Sequence, residues 1–326
     1  MANIDFIIPV FNEEGSLPAF HAMLDAIELP AGHTRRYVYV NDGSQDRTQE
    51  ILERIASTDS RVCVLELSRN FGHQAALSAG LENAAGDIVI TLDGDGQHPP
   101  SLIPEMLRLH EAGADIVKAA RVDEPGATDP FKRITSRWFY RLVSIVGEVD
   151  LVPGASDFRL LSRRALDALL KLPEYHRFYR GMTAWIGFST AVMSFKPAAR
   201  IGGVPKYSLK KMLRLAADGF FSFSLGPLRI ALILGGAFTG LAALEACYVA
   251  WTLLEGHRDQ LIPGWTSLIL ILTVSSAIQM ILLGILGIYV GMIFVEVKKR
   301  PVYLIKSRRE RYSEQRRASG SEQARN

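Results

Sequence analysis

The sequence predicts an α/β domain built on a mainly parallel sheet, followed by helices that enter a membrane. Strand-like and helix-like segments alternate from residue 4 to residue 120, the pattern of βαβ units. Polar clusters follow four of the predicted strands, at the edge where open parallel sheets bind ligands. The apolar residues that raise the hydrophobic content to 48% concentrate after residue 227, in runs long enough to span a bilayer.

Taken in order, strands are predicted at 4–10, 37–40, 62–67, 87–92 and 115–120, and helices at 15–27, 45–57, 73–83 and 101–111. The second strand stops at Asn41-Asp42-Gly43-Ser44, a turn cluster in which Ser44 is expected to cap the next helix. Asn12-Glu13, Asn41-Asp42, Ser68-Arg69-Asn70 and Asp93-Gly94-Asp95 all fall at one sheet edge. One such cluster is a loop; four in register predict a site. Asn12, Glu13 and Asp42 suit a base or ribose better than a phosphate. No Gly-x-Gly-x-x-Gly follows the first strand and no Walker pattern occurs, which excludes the usual dinucleotide and P-loop phosphate turns.

Asp93 and Asp95 stand at i and i+2, and an extended chain sends both to one face. Paired carboxylates repel unless a cation lies between them. Hard divalent cations take one or two carboxylates and complete their shell with substrate phosphates.

Residues 121–200 are less regular and rich in arginine, including Arg121, Arg133, Arg159 and Arg180. As a group such cations could neutralise phosphates. Residues 154–160 read as a turn into a short strand with Asp157 and Arg159 on one face, and Ser162 as the cap of a helix at 163–170. Arg200 and Lys206 flank a Gly-rich loop. Leu209, Met212, Leu213, Ala216, Ala217 and Phe220 then share one face of a basic amphipathic helix, the pattern of an interfacial segment.

Residues 230–254 carry a single charge, Glu245, and 265–295 carry none. The 25 residues of the first run reach about 37 Å as a helix, enough to cross. Glu245 inside a span needs a partner, and a homo-oligomer contact through the membrane region is the expectation. Residues 296–326 hold 10 Lys+Arg against 4 Asp+Glu, which leaves 27 against 30 for the rest. Cationic flanks on both sides of the apolar pair place both chain ends in the cytoplasm, and the charge reads as a membrane-side tail rather than a nucleic-acid surface. The expected divisions are 1–205 catalytic, 206–228 juxtamembrane, 229–295 two spans and 296–326 a basic tail. Two distant cysteines, Cys63 and Cys247, give neither a disulfide framework nor a metal spacing, and no secretory signal is expected at the start.

The segments 8–14 (Ile-Pro-Val-Phe-Asn-Glu-Glu), 40–44 (Val-Asn-Asp-Gly-Ser), 93–99 (Asp-Gly-Asp-Gly-Gln-His-Pro) and 296–301 (Glu-Val-Lys-Lys-Arg-Pro) together resemble the family 2 glycosyltransferases. Within them the chain is similar to the polyprenyl-phosphate glycosyltransferases, relatives of dolichol-phosphate mannosyltransferase with two C-terminal spans, over residues 3–306. The resemblance implies a GT-A fold and inverting transfer of one sugar from a nucleotide-sugar to a polyprenyl phosphate such as undecaprenyl phosphate. It implies that Pro9, Asn12, Glu13, Asp42 and Asp93 hold the nucleotide, and that Asp93, Asp95 and Gln97 bind Mg²⁺ or Mn²⁺. Arg121 and Arg133 stand where the family places cations for the acceptor or leaving phosphates, and Arg200 and Lys206 where a loop closes over them. Pro205 departs from the Ser expected in that loop. Asp157 is expected to orient the acceptor or act as a base, with orientation favoured.

UDP-glucose is the first expectation for the donor, because bacterial relatives that supply glucose for O-antigen modification share the two-span layout. UDP-N-acetylglucosamine, UDP-aminoarabinose derivatives and GDP-mannose stay open. Two other classes compete: a polysaccharide synthase and a non-catalytic nucleotide-sugar scaffold. The synthase expectation lacks its Gln-x-x-Arg-Trp motif, since Ser136-Arg137-Trp138 has no Gln at the required offset. The intact Asp93, Asp95 and Gln97 set argues against the scaffold.

Overall fold

The computed structural model describes residues 2–122, 154–175, 177–196 and 264–310, with isolated positions between 233 and 255. In chain order the elements are β1 (Ala2–Val10), α1 (Leu17–Asp25), β2 (His33–Asn41), α2 (Thr48–Thr58), β3 (Val62–Leu67) and α3 (His73–Glu82). They continue with β4 (Ile88–Thr91), α4 (Ile103–Glu111), β5 (Ile116–Arg121), β6 (Ala155–Ser162), α5 (Arg163–Leu170), α6 (Tyr179–Trp185), β7 (Thr190–Phe195), α7 (Trp265–Lys298) and β8 (Ile305–Glu310). A single 3₁₀ turn, Pro100–Leu102, leads into α4.

The strands form one sheet in the order β7-β5-β6-β4-β1-β2-β3-β8. The pairs β1–β2, β1–β4, β2–β3 and β5–β7 are parallel, as the helical crossovers require. β6 runs antiparallel to both neighbours, β4 and β5, and β8 runs antiparallel to β3. Ile4, Phe6 and Ile8 of β1, with Tyr37 and Tyr39 of β2, pack in one core with Leu17, Phe20, Leu24, Leu52, Ile103 and Met106. The other face is covered in part by α3, where a Cβ on Gly80 would lie 2.2 Å from Ile7 Cγ2 and 3.2 Å from Val40 Cγ2. Burial on both faces explains why these strands read as nearly continuous apolar runs.

The structure corrects four expectations. Ser44 does not cap α2; its Oγ accepts from the Asn12 amide, and Asp46 Oδ1 accepts from the Thr48 amide instead. α6 and β7 occupy a stretch that reads as irregular. α7 continues past residue 295 to Lys298. The expected basic tail instead returns to the sheet as β8, and the segment from Pro301 belongs with the sheet unit while α7 belongs to a second unit.

β8 is concealed in the sequence because a charged edge strand lacks apolar alternation; charge on an edge blocks unwanted pairing. Lys306 Nζ reaches Glu66 Oε1 at 2.5 Å and Arg36 Nη2 reaches Glu310 Oε1 at 2.7 Å. The predicted cap at Ser162 is present, its side chain accepting from the Ala165 amide.

Among the described residues, one segment, Val274–Lys298, is long and apolar enough to cross a membrane. The isolated positions described between 233 and 254 are helical. Arg133, Arg200, Lys206, Glu245, the amphipathic helix and residues 311–326 lie outside the described residues.

Candidate active site

Four loops leave the C-terminal ends of β1, β2, β3 and β4 at the same sheet edge, and three of them are stitched together by the residues expected to bind nucleotide. Asn12 adopts φ +51°, donates its amide to Ser44 Oγ at 2.9 Å and accepts from the Gln45 amide at 2.8 Å through Oδ1. The Glu13 amide donates to Thr48 Oγ1 at 2.8 Å, and Ser16 Oγ donates to Glu13 Oε2 at 2.8 Å. Pro9 is buried inside β1, opposite Val40.

Asp42 is buried, and its two oxygens accept from the Phe71 amide at 2.7 Å and the Gly72 amide at 2.9 Å. Burial raises its pKa above the ordinary carboxylate value, with those two amides opposing the shift. The neighbouring Gly43, at φ +65°, has no room for a side chain: a Cβ would lie 2.5 Å from the Arg69 carbonyl carbon. The loops after β2 and β3 therefore form one rigid rim.

β4 ends at Thr91, so Asp93 and Asp95 sit on a loop rather than in the strand. Half-buried Asp93, Asp95 and Gln97 nonetheless alternate with buried Gly94, Gly96 and His98. His98 shapes this loop. Its Nδ1 accepts from the Asp93 amide at 3.0 Å, which puts the ring proton of the neutral form on Nε2, and the ring stacks on Phe158 at 5.2 Å. Asp95 Oδ1 accepts from the Gln97 amide at 3.0 Å.

Strand register brings in the other half of the site. β6 pairs with β4 so that Thr91 lies opposite Arg159, and Asp157, two residues earlier on β6, stands at the end of β4, its carbonyl accepting from Thr91 Oγ1. Asp157 Oδ1 accepts from Arg159 Nη2 at 2.7 Å, and Oδ2 accepts from Arg180 Nη2 at 3.1 Å. His73 Nε2 stands 3.4 Å from Asp157 Oδ2 and 3.7 Å from Asp93 Oδ1, joining the two carboxylates.

Burial opposes ionisation of Asp157, yet the Arg180 charge, the His73 hydrogen bond and Arg159 hold its carboxyl well below the usual range. For His73 burial acts downward, but the Asp157 hydrogen bond and the charges of Asp93 and Asp157 lift it to about 9. Lys118, buried and opposite Arg159 in the sheet, is pushed down to about 8 by burial and by the Arg159 charge. A carboxylate already filled with donors and held ionised orients its neighbours; it is a weak proton acceptor at neutral pH. Arg121 is exposed at the end of β5, at the same edge, with its amide donating to the Gly154 carbonyl at 2.9 Å.

Among the described residues, no group of three or more His, Cys, Asp and Glu side chains is arranged to hold a metal. The loop carboxylates nevertheless fit a divalent cation. The Asp93 side chain is about one-third exposed, and His73 Nε2 and His98 Nε2 each lie 3.7 Å from one of its oxygens. Two oxygen donors from one loop match a hard cation that takes its remaining ligands from substrate and water.

Of the expected site residues, Asp42, Asp93, Asp95, Gln97, Asp157 and Arg121 lie at one sheet edge, and Asn12 and Glu13 build its rim. Sequence reasoning missed His73 and His98. Neither carries a periodic signal; the adjacency of His98 to the Asp-x-Asp loop and the position of His73 after a glycine at the mouth of a helix were the available hints.

The family model described as glycosyl transferase family 2 matches residues 5–170. The chain is 38% identical to the glycosyltransferase YkcC of Bacillus subtilis (strain 168), whose activity is uncharacterised, over 92% of each chain. It is 37% identical to the SfII prophage-derived bactoprenol glucosyl transferase of Shigella flexneri, covering 93% of this chain and 97% of that one. Identity is again 37% to the prophage bactoprenol glucosyl transferase homolog of Escherichia coli (strain K12), covering 93% and 98%. With a mainly parallel GT-A-like sheet, loops converging on one edge and a family match over half its length, the chain belongs to glycosyl transferase family 2.

Proposed function

We propose that this protein transfers a single glucose, with inversion, from UDP-glucose to a polyprenyl phosphate, giving a lipid-linked sugar for cell-envelope glycosylation. The chemistry rests on one observation: Asp93, on the loop expected to meet the donor diphosphate, and Asp157, beside Arg180, meet at His73. Near end-to-end similarity to proteins named bactoprenol glucosyl transferase supports the choice of substrates.

The acceptor phosphate is anionic at neutral pH, so its oxygen needs orientation more than deprotonation. It attacks the anomeric carbon from the face opposite the leaving UDP. The obstacle is the approach of two anions, and the enzyme must supply positive charge and alignment. Arg121 and Arg180 lie at the edge where the acceptor enters, and Asp157 fixes the direction of Arg180. A bound Mg²⁺ or Mn²⁺, held by Asp93 and Asp95 with Gln97 as a third ligand, would neutralise charge growing on the leaving diphosphate. Arg133, Arg200 and Lys206 complete the phosphate contacts in this proposal.

The apolar segment Val274–Lys298, paired with a second span at 230–254, would keep the acceptor's tail in the bilayer and its phosphate at the catalytic surface. Lys/Arg bias assigns the catalytic unit and both ends to the cytoplasmic side of the inner membrane.

The deciding experiment supplies the purified full chain with labelled UDP-glucose, undecaprenyl phosphate and Mg²⁺. One lipid-linked glucose per acceptor is expected, and Asp95→Ala should bind detergent micelles and fold normally while losing transfer. Products longer than one sugar would favour a synthase, and full activity of Asp95→Ala or in chelator would overturn the metal assignment.

A further inference from the structure

We propose that His73 is a positioning residue: a brace that fixes the donor-side carboxylate, Asp93, against the acceptor-side carboxylate, Asp157. The role rests on the transfer reaction proposed above, although the brace itself is a matter of geometry. Two carboxylates at the mouth of adjacent strands repel each other. A single nitrogen, His73 Nε2, lies within 3.7 Å of one and 3.4 Å of the other. The two contacts join the loop that follows β4, which carries Asp93, to strand β6, which carries Asp157.

The backbone that carries His73 is fixed from both sides. On its C-terminal side α3 is a buried helix from Ala75 to Leu81, seated so closely on β1 that Gly80 has no room for a Cβ. On its N-terminal side Gly72 takes φ +100°, a conformation other residues rarely adopt. Its amide and that of Phe71 are held by the two oxygens of buried Asp42. Asp42 therefore sets the start of α3, α3 sets His73, and His73 spans the two carboxylates. His73 is also the first residue of the helix, with its side chain about one-third exposed. A residue placed with this much backbone constraint is suited to holding a distance.

In this role its loss relaxes the relative position of the two halves of the site without emptying the nucleotide site. Misplacement by about 1 Å is enough to cost on the order of 10²-fold in rate. His73→Ala in the full detergent-solubilised chain is expected to lower kcat by about 10²-fold, with KM for UDP-glucose changed by less than about threefold. His73→Gln, whose amide can donate towards the same carboxylates, should recover about tenfold of that loss, and added imidazole should partly rescue His73→Ala.

A kcat for His73→Ala within about threefold of wild type, or a loss confined to donor KM, would overturn the brace. A second measurement is independent of turnover. In ¹⁵N-histidine-labelled protein, Asp93→Asn should shift the His73 imidazole resonances and leave those of His110, on α4, in place. An unmoved His73 signal would overturn the brace even in a chain that transferred no glucose, whereas a shifted signal in an inactive wild-type chain would keep the brace and reject the proposed reaction.

Discussion

Arg159 has almost no solvent to turn to. Its side chain is 3% exposed and its guanidinium donates to Asp157 Oδ1, the Ser156 and Tyr179 carbonyls and Thr183 Oγ1, while Nε finds no partner. Burial lowers its pKa, and the Asp157 charge opposes that shift without cancelling it. Removing the carboxylate leaves a buried cation without its counter-charge, a change that typically costs about 3–5 kcal/mol. Asp157→Asn is therefore expected to lose stability by roughly that amount, read as a lowered denaturant midpoint, in addition to any loss of transfer. The pair was legible in the sequence because an extended Asp-x-Arg puts both side chains on one face. Its partners were not: Arg180 and Thr183 arrive from α6, 20 or more residues later, and no local pattern announces such a meeting.

At the scale of elements, Asp115 joins three of them. It stands just before β5, and its oxygens accept from Arg164 of α5, from Ser162 Oγ at 2.9 Å and from Ser189 Oγ at 2.9 Å just ahead of β7. The Arg164 hydrogen bonds, against a smaller opposing effect of burial, bring its pKa to about 2. A carboxylate with a depressed folded-state pKa stabilises the protein above its unfolded value, near 4, and loses that contribution as pH falls towards 2. The destabilisation caused by Asp115→Asn should accordingly be full at pH 6 and shrink steadily between pH 4 and pH 2, measured as the difference in denaturation midpoints.

Strands β1 to β5 were legible because buried parallel strands read as apolar runs bounded by turns. β7 and β8 were not, for opposite reasons to the core. Residues of β7 alternate between exposed and half-buried along most of its length, and β8 is exposed at every position but Glu310. Edge strands take their stability from backbone pairing and ion pairs, which composition does not reveal.

For the whole molecule, hydropathy and charge separate a sheet-forming part from an apolar part, and the order of motifs along the chain points to the family. What it could not show is that the chain re-enters the sheet after α7. That return allows the membrane crossings to be counted. β8 hydrogen-bonds to β3, so the residues before and after the apolar part share one side of any bilayer. The six residues from 299 to 304 reach about 20 Å when extended, short of the roughly 30 Å hydrocarbon core. The number of crossings between β7 and β8 must then be even. If Val274–Lys298 crosses once, a second crossing lies before it.

An impermeant maleimide applied to vesicles of known orientation checks the count, using cysteines introduced one at a time in a Cys247→Ala background. Ser60→Cys, in the sheet unit ahead of the apolar part, and Ser321→Cys should label from the same face, and labelling from opposite faces would break the parity. On that count β8 is a topological lock: one short, charged strand restricts the chain to an even number of passages through any bilayer it enters.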